Sequence, residues 1–189
     1  ENDFDPTLAP SVVDKSDLYI VRPQFGEAAL EAASLFLPGT VVIDSATMLR
    51  PAVSAGLPLW EEEQLGARDR MLAFGARLLK EACRDKGGVV VFTQQLRASI
   101  GKQFVKGTRV AGGRGIAVAA DFRLALRRGG NLLRGHRTIG VCIHVDILRC
   151  GDETPGATVD LDLLYGSGFR RSSSLLDWSV RRGIVEKTG

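Results

Sequence analysis

Two short apolar runs constrain this chain more than anything else in it: Thr40-Val41-Val42-Ile43 and Val89-Val90-Val91-Phe92. Both are dominated by β-branched residues, and both stop abruptly at polar ones, Asp44-Ser45 and Thr93-Gln94-Gln95. Such runs read as buried strands. The strongest helical signal of the chain, residues 61–85, lies between them. Met71, Leu72, Gly75, Leu78, Leu79 and Ala82 recur at helical spacing. Glu61, Glu62 and Glu63 suit the positive end of that helix.

The flanking segments extend the pattern. Leu18-Tyr19-Ile20-Val21 reads as a short strand, and residues 26–37 as a helix stopped by Pro38-Gly39. Residues 121–128 alternate, with Phe122, Leu124 and Leu126 on a buried face and Arg123, Ala125 and Arg127 on a wet one. Residues 139–148 and 158–164 read as strands joined by a turn at 152–156, and residues 172–182 as a final helix. The expected fold is α/β: a mostly parallel central sheet flanked by helices, with antiparallel strands at the C-terminal side.

At 189 residues the chain can bury a substantial single core. Its opening, Glu1-Asn2-Asp3-Phe4-Asp5-Pro6, and its close, Val185-Glu186-Lys187-Thr188-Gly189, both read as interior sequence. The expectation is one core domain over 1–189, cut at both ends. A net charge of +3 says little about nucleic acid by itself. Clustering says more, because local potential captures a phosphate backbone. Residues 97–137 hold ten Lys or Arg and one acid, Asp121. Arg70, Arg77 and Arg84 repeat every seven residues and so share one helix face. No apolar run is long enough to span a membrane. No signal peptide opens the chain, and Cys83, Cys142 and Cys150 are an odd number without CxxC spacing. The expectation is a cytoplasmic protein with buried thiols and no cysteine-ligated metal.

Asp44 ends a buried strand, where open α/β sheets place their ligands. A carboxylate followed by the Ser45 hydroxyl suits Mg²⁺ held through water beside nucleotide phosphates. Gln95, at the end of the neighbouring strand, offers an amide to a terminal phosphate oxygen. Loop capping and ordinary strand-end polarity account for these two residues equally simply. Gly112-Gly113-Arg114-Gly115 lets backbone N–H groups approach phosphate, or is a flexible loop. His136 and His144 have no partner at metal or triad spacing, and Asp160 and Asp162 read as solvent-facing strand residues. The phosphate-loop motif G-x-x-x-x-G-K-[ST] does not occur in the 189 residues.

Taken jointly, these segments resemble one family, the bacterial RecA recombinases. Thr40-Val41-Val42-Ile43-Asp44-Ser45 is similar to their Walker B strand. Leu65-Gly66-Ala67-Arg68-Asp69-Arg70-Met71 resembles the helix after their first DNA-binding loop. Residues 92–101 resemble the strand entering the second such loop, and Gly112-Gly113 falls at that loop's glycine pair. Leu163-Leu164-Tyr165-Gly166-Ser167-Gly168 resembles a late core signature, and Gly183-Ile184-Val185-Glu186-Lys187 the helix after it. The resemblance runs from Glu1 to Gly189, with one inserted residue near 51–60 and a length adjustment around 129–136.

The resemblance implies a RecA-type ATPase core. Glu1 matches the glutamate that activates the attacking water, Asp5 a position near the adenine, and Asp44 the Walker B aspartate. Gln95 matches the γ-phosphate sensor that couples ATP to the DNA loop. Arg70, Arg77, Arg97, Ser99, Gly112, Gly113 and Arg114 fall on or near DNA-contacting positions, with Lys102, Lys106 and Arg109 in the same basic stretch. Where the family reaches a neighbouring subunit's phosphates with two lysines, this chain has Arg149 and Gly151. Leu8 replaces an adenine-stacking aromatic, and Ala117 and Val118 replace interface residues. The implied cofactors are ATP and Mg²⁺. The implied partners are single-stranded DNA, duplex DNA and further copies in a filament, in DNA recombination and repair. Two other readings share this fold: a non-catalytic DNA-binding or regulatory paralogue, and a helicase or other motor.

Overall fold

The computed structural model describes residues 17–54, 66–98, 108–110, 114–151 and 156–186. The described residues of Ile20–Ala120 form one compact unit, and those of Asp121–Gly189, together with residues 17–19, another. In the first, helix α1 (Gly26–Leu35) leads into strand β1 (Thr40–Ile43), helix α2 (Ala67–Lys86) and strand β2 (Val89–Phe92). β1 and β2 pair in parallel, Thr40 opposite Val89 and Ile43 opposite Phe92. A strand, a crossover helix and a parallel strand are what the two apolar runs and the long amphipathic segment predict.

The core follows from the period of α2. Leu72, Ala76 and Leu79 recur at three- and four-residue steps on one face, and all three are buried. Leu79 packs with Leu30 and Ala33 of α1 and with Ile43 of β1. Leu72 and Ala76 pack with Ala46, Ile116 and Ala119. Met71, Leu49 and Phe92 border both clusters. A fully buried Leu contributes about 1.5–3 kcal/mol relative to exposure. The acid in the first turn of α1 also ties a loop: Glu27 Oε2 accepts from the Ala52 N–H at 2.9 Å. At its other end α2 stops on Gly87, whose N–H donates to the Cys83 carbonyl at 2.9 Å.

Beyond β2 come two short strands, β3 (Leu96–Ala98) and β4 (Thr108–Val110), paired antiparallel with Arg97 opposite Arg109. Helix α3 (Gly115–Ala119) then lies against α2. Gly115 makes that approach possible, because a Cβ there would collide with Ala73, including its backbone. The Lys80 ammonium donates to the Ala119 carbonyl at the end of α3, at 2.9 Å.

The second unit is an antiparallel sheet in the order β5 (Phe122–Arg134), β6 (Arg137–Cys150), β7 (Thr158–Leu164) and β8 (Gly168–Phe169), followed by helix α4 (Arg171–Arg181). The observed architecture is therefore α/β, with a parallel pair in the N-terminal unit and antiparallel strands towards the C-terminus.

Several expectations need correction. Residues 18–21 form no strand, and Tyr19, Ile20 and Val21 are exposed. Pairing, not β propensity, makes a strand. β1 and β2 are buried on one face only: Val41, Ile43, Val90 and Phe92 turn to the core, while Val42 is 59% exposed and Val89 and Val91 are also exposed. All helices packed on them among the described residues lie against the same face. Leu78 falls outside the buried stripe of α2. β5 and β6 are longer than expected, because pairing continues through Gly129-Gly130 by a register shift between Arg128 and Asn131. Phe122, Leu124 and Leu126 are exposed, not core.

Candidate functional site

Two polar strand ends meet in the first unit. Asp44 follows β1 and Thr93 follows β2, and the parallel register sets them side by side. The Thr93 hydroxyl donates to Asp44 Oδ1 at 2.6 Å. Backbone bonds knit the two exits together: the Thr93 N–H donates to the Ile43 carbonyl and the Ala46 N–H to the Thr93 carbonyl, at 3.1 and 3.0 Å. Ser45 Oγ and Thr47 Oγ1 share a hydrogen bond at 2.8 Å. Asp44 is exposed, and Gln95, two residues past Thr93, is exposed as well. The side chains gathered here are a carboxylate and hydroxyls. That is hard oxygen chemistry of the kind Mg²⁺ takes through water, so these residues fit the ion.

Several of the basic residues belong to the same unit. β2 runs through Thr93-Gln94-Gln95 directly into β3, so along the chain Gln95 lies between Thr93, which holds the Asp44 carboxylate, and Leu96, the first residue of β3. Arg97 stands opposite Arg109 in the β3–β4 pair. Arg70, Arg77 and Arg84 all lie exposed on α2, on the side away from Leu72 and Leu79. α3 lies along the flank of α2 that carries Ala73 and Lys80, beside that arginine row on the helical wheel. Arg114, exposed, immediately precedes α3. The end of the basic segment is thereby fastened next to the arginine row.

Other expected residues lie elsewhere. Arg149 is on β6 in the second unit, opposite Arg123. Glu1, Asp5, Ser99, Lys102, Lys106, Gly112 and Gly113 lie outside the described residues.

One grouping escaped the sequence reading. On one face of the C-terminal sheet, His144 of β6 stands opposite Asp160 of β7, and Cys142 opposite Asp162. His144 Nδ1 and Asp160 Oδ1 are 2.6 Å apart, so His144 does have a partner, supplied by strand register and not by sequence spacing. Burial, with Asp160 and Asp162 adding to it, pushes the Cys142 thiol up from its ordinary value. On the same face Asp146 accepts from Thr158 Oγ1 at 2.9 Å and pairs with Arg127 at 2.7 Å. The Thr158 hydrogen bond, then Arg127, hold its carboxyl below the usual range against a partial opposing effect of burial. The only sequence signal for this face was the i, i+2 spacing of Cys142 with His144 and of Asp160 with Asp162.

Comparison with known proteins gives one family. The model of the RecA N-terminal domain matches residues 1–170. The chain is similar to Protein RecA of Rubrobacter xylanophilus at 32% identity, covering 100% of this chain and 56% of that protein. It is similar at 31% to Protein RecA of Aquifex pyrophilus and at 30% to that of Methylococcus capsulatus, with the same 100% and 56% coverage. The chain thus spans about half the length of the curated relatives it matches.

Proposed function

This chain belongs to the RecA family, and from that premise we propose that it is the core of an ATP-dependent recombinase that binds single-stranded DNA in homologous recombination and repair. The observation that carries the reading is the continuity of Asp44, Thr93, Gln95 and the β3–β4 pair along one strand exit. The Gln95 amide would hydrogen-bond the γ-phosphate of a nucleotide held at the ends of β1 and β2. Asp44, oriented by Thr93, would hold Mg²⁺ through water, and the ion would supply charge neutralisation of the phosphates. By the family resemblance Glu1 would position the attacking water, Asp5 would contribute near the adenine, and Arg149 would reach a neighbouring copy's phosphates in a filament. DNA runs along Arg70 and Arg77 of α2, the β3–β4 pair with Arg97 and Arg109, and residues 99–114 with Ser99, Lys102, Lys106, Gly112, Gly113 and Arg114. Duplex DNA is a second partner on the same basic surface.

Because Gln95 adjoins both the nucleotide end and β3, it is the residue that transmits nucleotide state to DNA affinity. Fluorescence anisotropy with a labelled single strand tests this, with and without Mg-ATP, using the full-length protein. Gln95→Ala is expected to keep nucleotide binding and lose the ATP-dependent tightening on DNA. Tightening that survives the substitution removes the sensor role. Wild-type DNA affinity indifferent to ATP favours the non-catalytic binding module instead.

A further inference from the structure

We propose that Cys142, His144 and Asp160, with Asp162 beside them, form a binding site for a divalent transition metal of the Zn²⁺ class on the C-terminal sheet. The strand pattern builds it. Side chains two apart on a strand share a face, so Cys142 and His144 point the same way from β6 and Asp160 and Asp162 the same way from β7. The register then closes a square, with His144 opposite Asp160 and Cys142 opposite Asp162. The sulfur, imidazole and carboxylate ligand atoms of Cys142, His144 and Asp160 all lie within 4.8 Å of one another. One thiolate, one imidazole and one or two carboxylates in a tetrahedral set is the donor chemistry of Zn²⁺.

For the His144–Asp160 pair the geometry needs little adjustment. His144 Nδ1 and Asp160 Oδ1 are 2.6 Å apart, at hydrogen-bond distance. A tetrahedral ion bonded to each at about 2.0–2.1 Å sets them roughly 3.3 Å apart. Side-chain rotation supplies that difference, the metal taking the place of the hydrogen bond.

Two neighbours make the site available. Arg127 stands opposite His144 in the register, yet its guanidinium is paired with Asp146. Among the described residues no Lys or Arg forms an ion pair with Asp160 or Asp162, so their charge is open to a cation. Gly129, in the register shift of β5, leaves room for the imidazole: a Cβ there would stand 2.5 Å from His144 Nε2. Gly129 is a positioning residue for the ring. The donors are partly exposed, which leaves an entry path.

Titrating the folded full chain with Co²⁺, then displacing it with Zn²⁺, tests the site. One ion per chain is expected, with a thiolate-to-Co²⁺ charge-transfer band and tetrahedral d–d bands that Zn²⁺ abolishes. Cys142→Ser removes the charge-transfer band, while Cys83→Ser and Cys150→Ser leave it. His144→Ala lowers affinity by at least about tenfold. Gly129→Ala, which removes no ligand, also lowers it, with the fold checked by circular dichroism. No charge-transfer band in the folded wild type at excess Co²⁺ overturns the proposal. A band that persists in Cys142→Ser, or affinity unchanged in His144→Ala, does the same.

Discussion

The two units solve the problem of burying a sheet in opposite ways. In the N-terminal unit, two four-residue strands are backed by α1, α2 and α3, and the apolar side chains concentrate into two adjoining clusters around Leu72 and Leu79. In the C-terminal unit, strands of 13 and 14 residues carry much of the structure by cross-strand pairing, and α4 contributes no buried residue. Phe122, Leu124 and Leu126, apolar and alternating, stay exposed there. The comparison teaches that hydrophobic residues at the right period do not make a core. A core needs a second layer, and helices supply it only in the first unit among the described residues.

The comparison breaks most directly at single leucines. Leu72 is 0% exposed and Leu126 is 54% exposed. Leu72→Ala is expected to cost about 3 kcal/mol, and Leu126→Ala less than about 1 kcal/mol. Urea unfolding followed by circular dichroism measures both. Equal losses would mean that the β5 face is covered in solution.

A pair of glycines sharpens the same contrast at smaller scale. Gly115→Ala drives a methyl into Ala73, whose backbone cannot yield, and is expected to cost about 1–3 kcal/mol. Gly130→Ala meets nothing within 4 Å and is expected to stay within about 0.5 kcal/mol of wild type. Thermal unfolding of the two variants side by side is sufficient.

The smallest effect on stability belongs to the arginine row. Arg70→Ala with Arg77→Ala should leave unfolding within about 0.5 kcal/mol per site, since both lie exposed. The proposed function predicts a separate loss. The slope of log affinity for single-stranded DNA against log salt should fall by about 0.7 for each phosphate contact removed. An unchanged slope takes α2 out of the DNA surface.

How much of this was legible in the sequence depended on range. Helices α1, α2 and α4 and strands β1, β2 and β5 to β7 came from local period. Asp44 and Gln95 were legible as strand ends for the same reason, since a polar stop after an apolar run is written in adjacent residues. The residues 18–21 misled because apolar β-branched composition does not supply a partner strand. The burial of β1 and β2 was overstated because period cannot tell how many layers cover a strand. Residues 92–101 were legible as a strand only through the family resemblance, and β4 not at all, since two three-residue strands paired antiparallel leave no periodic trace. The Gly129-Gly130 pair showed in the sequence only as a length adjustment in the resemblance; in the fold it is a bulge that makes room for an imidazole. The square of Cys142, His144, Asp160 and Asp162 was half legible: each strand showed its own i, i+2 pair, and only register could join them.

The seven-residue repeat on α2 has a mechanical side. At 1.5 Å per residue, Arg70, Arg77 and Arg84 stand roughly 10 Å apart along the axis, a ladder of about 21 Å. Because Leu72, Ala76 and Leu79 lock the opposite face into the core, the ladder cannot roll about its axis. Its pitch is close to one Debye length at about 0.1 M salt, so each rung attracts its own stretch of an anionic chain nearly independently. Under the proposed function a short anion would meet one rung and a longer one several in turn, all on the helix that holds the core together.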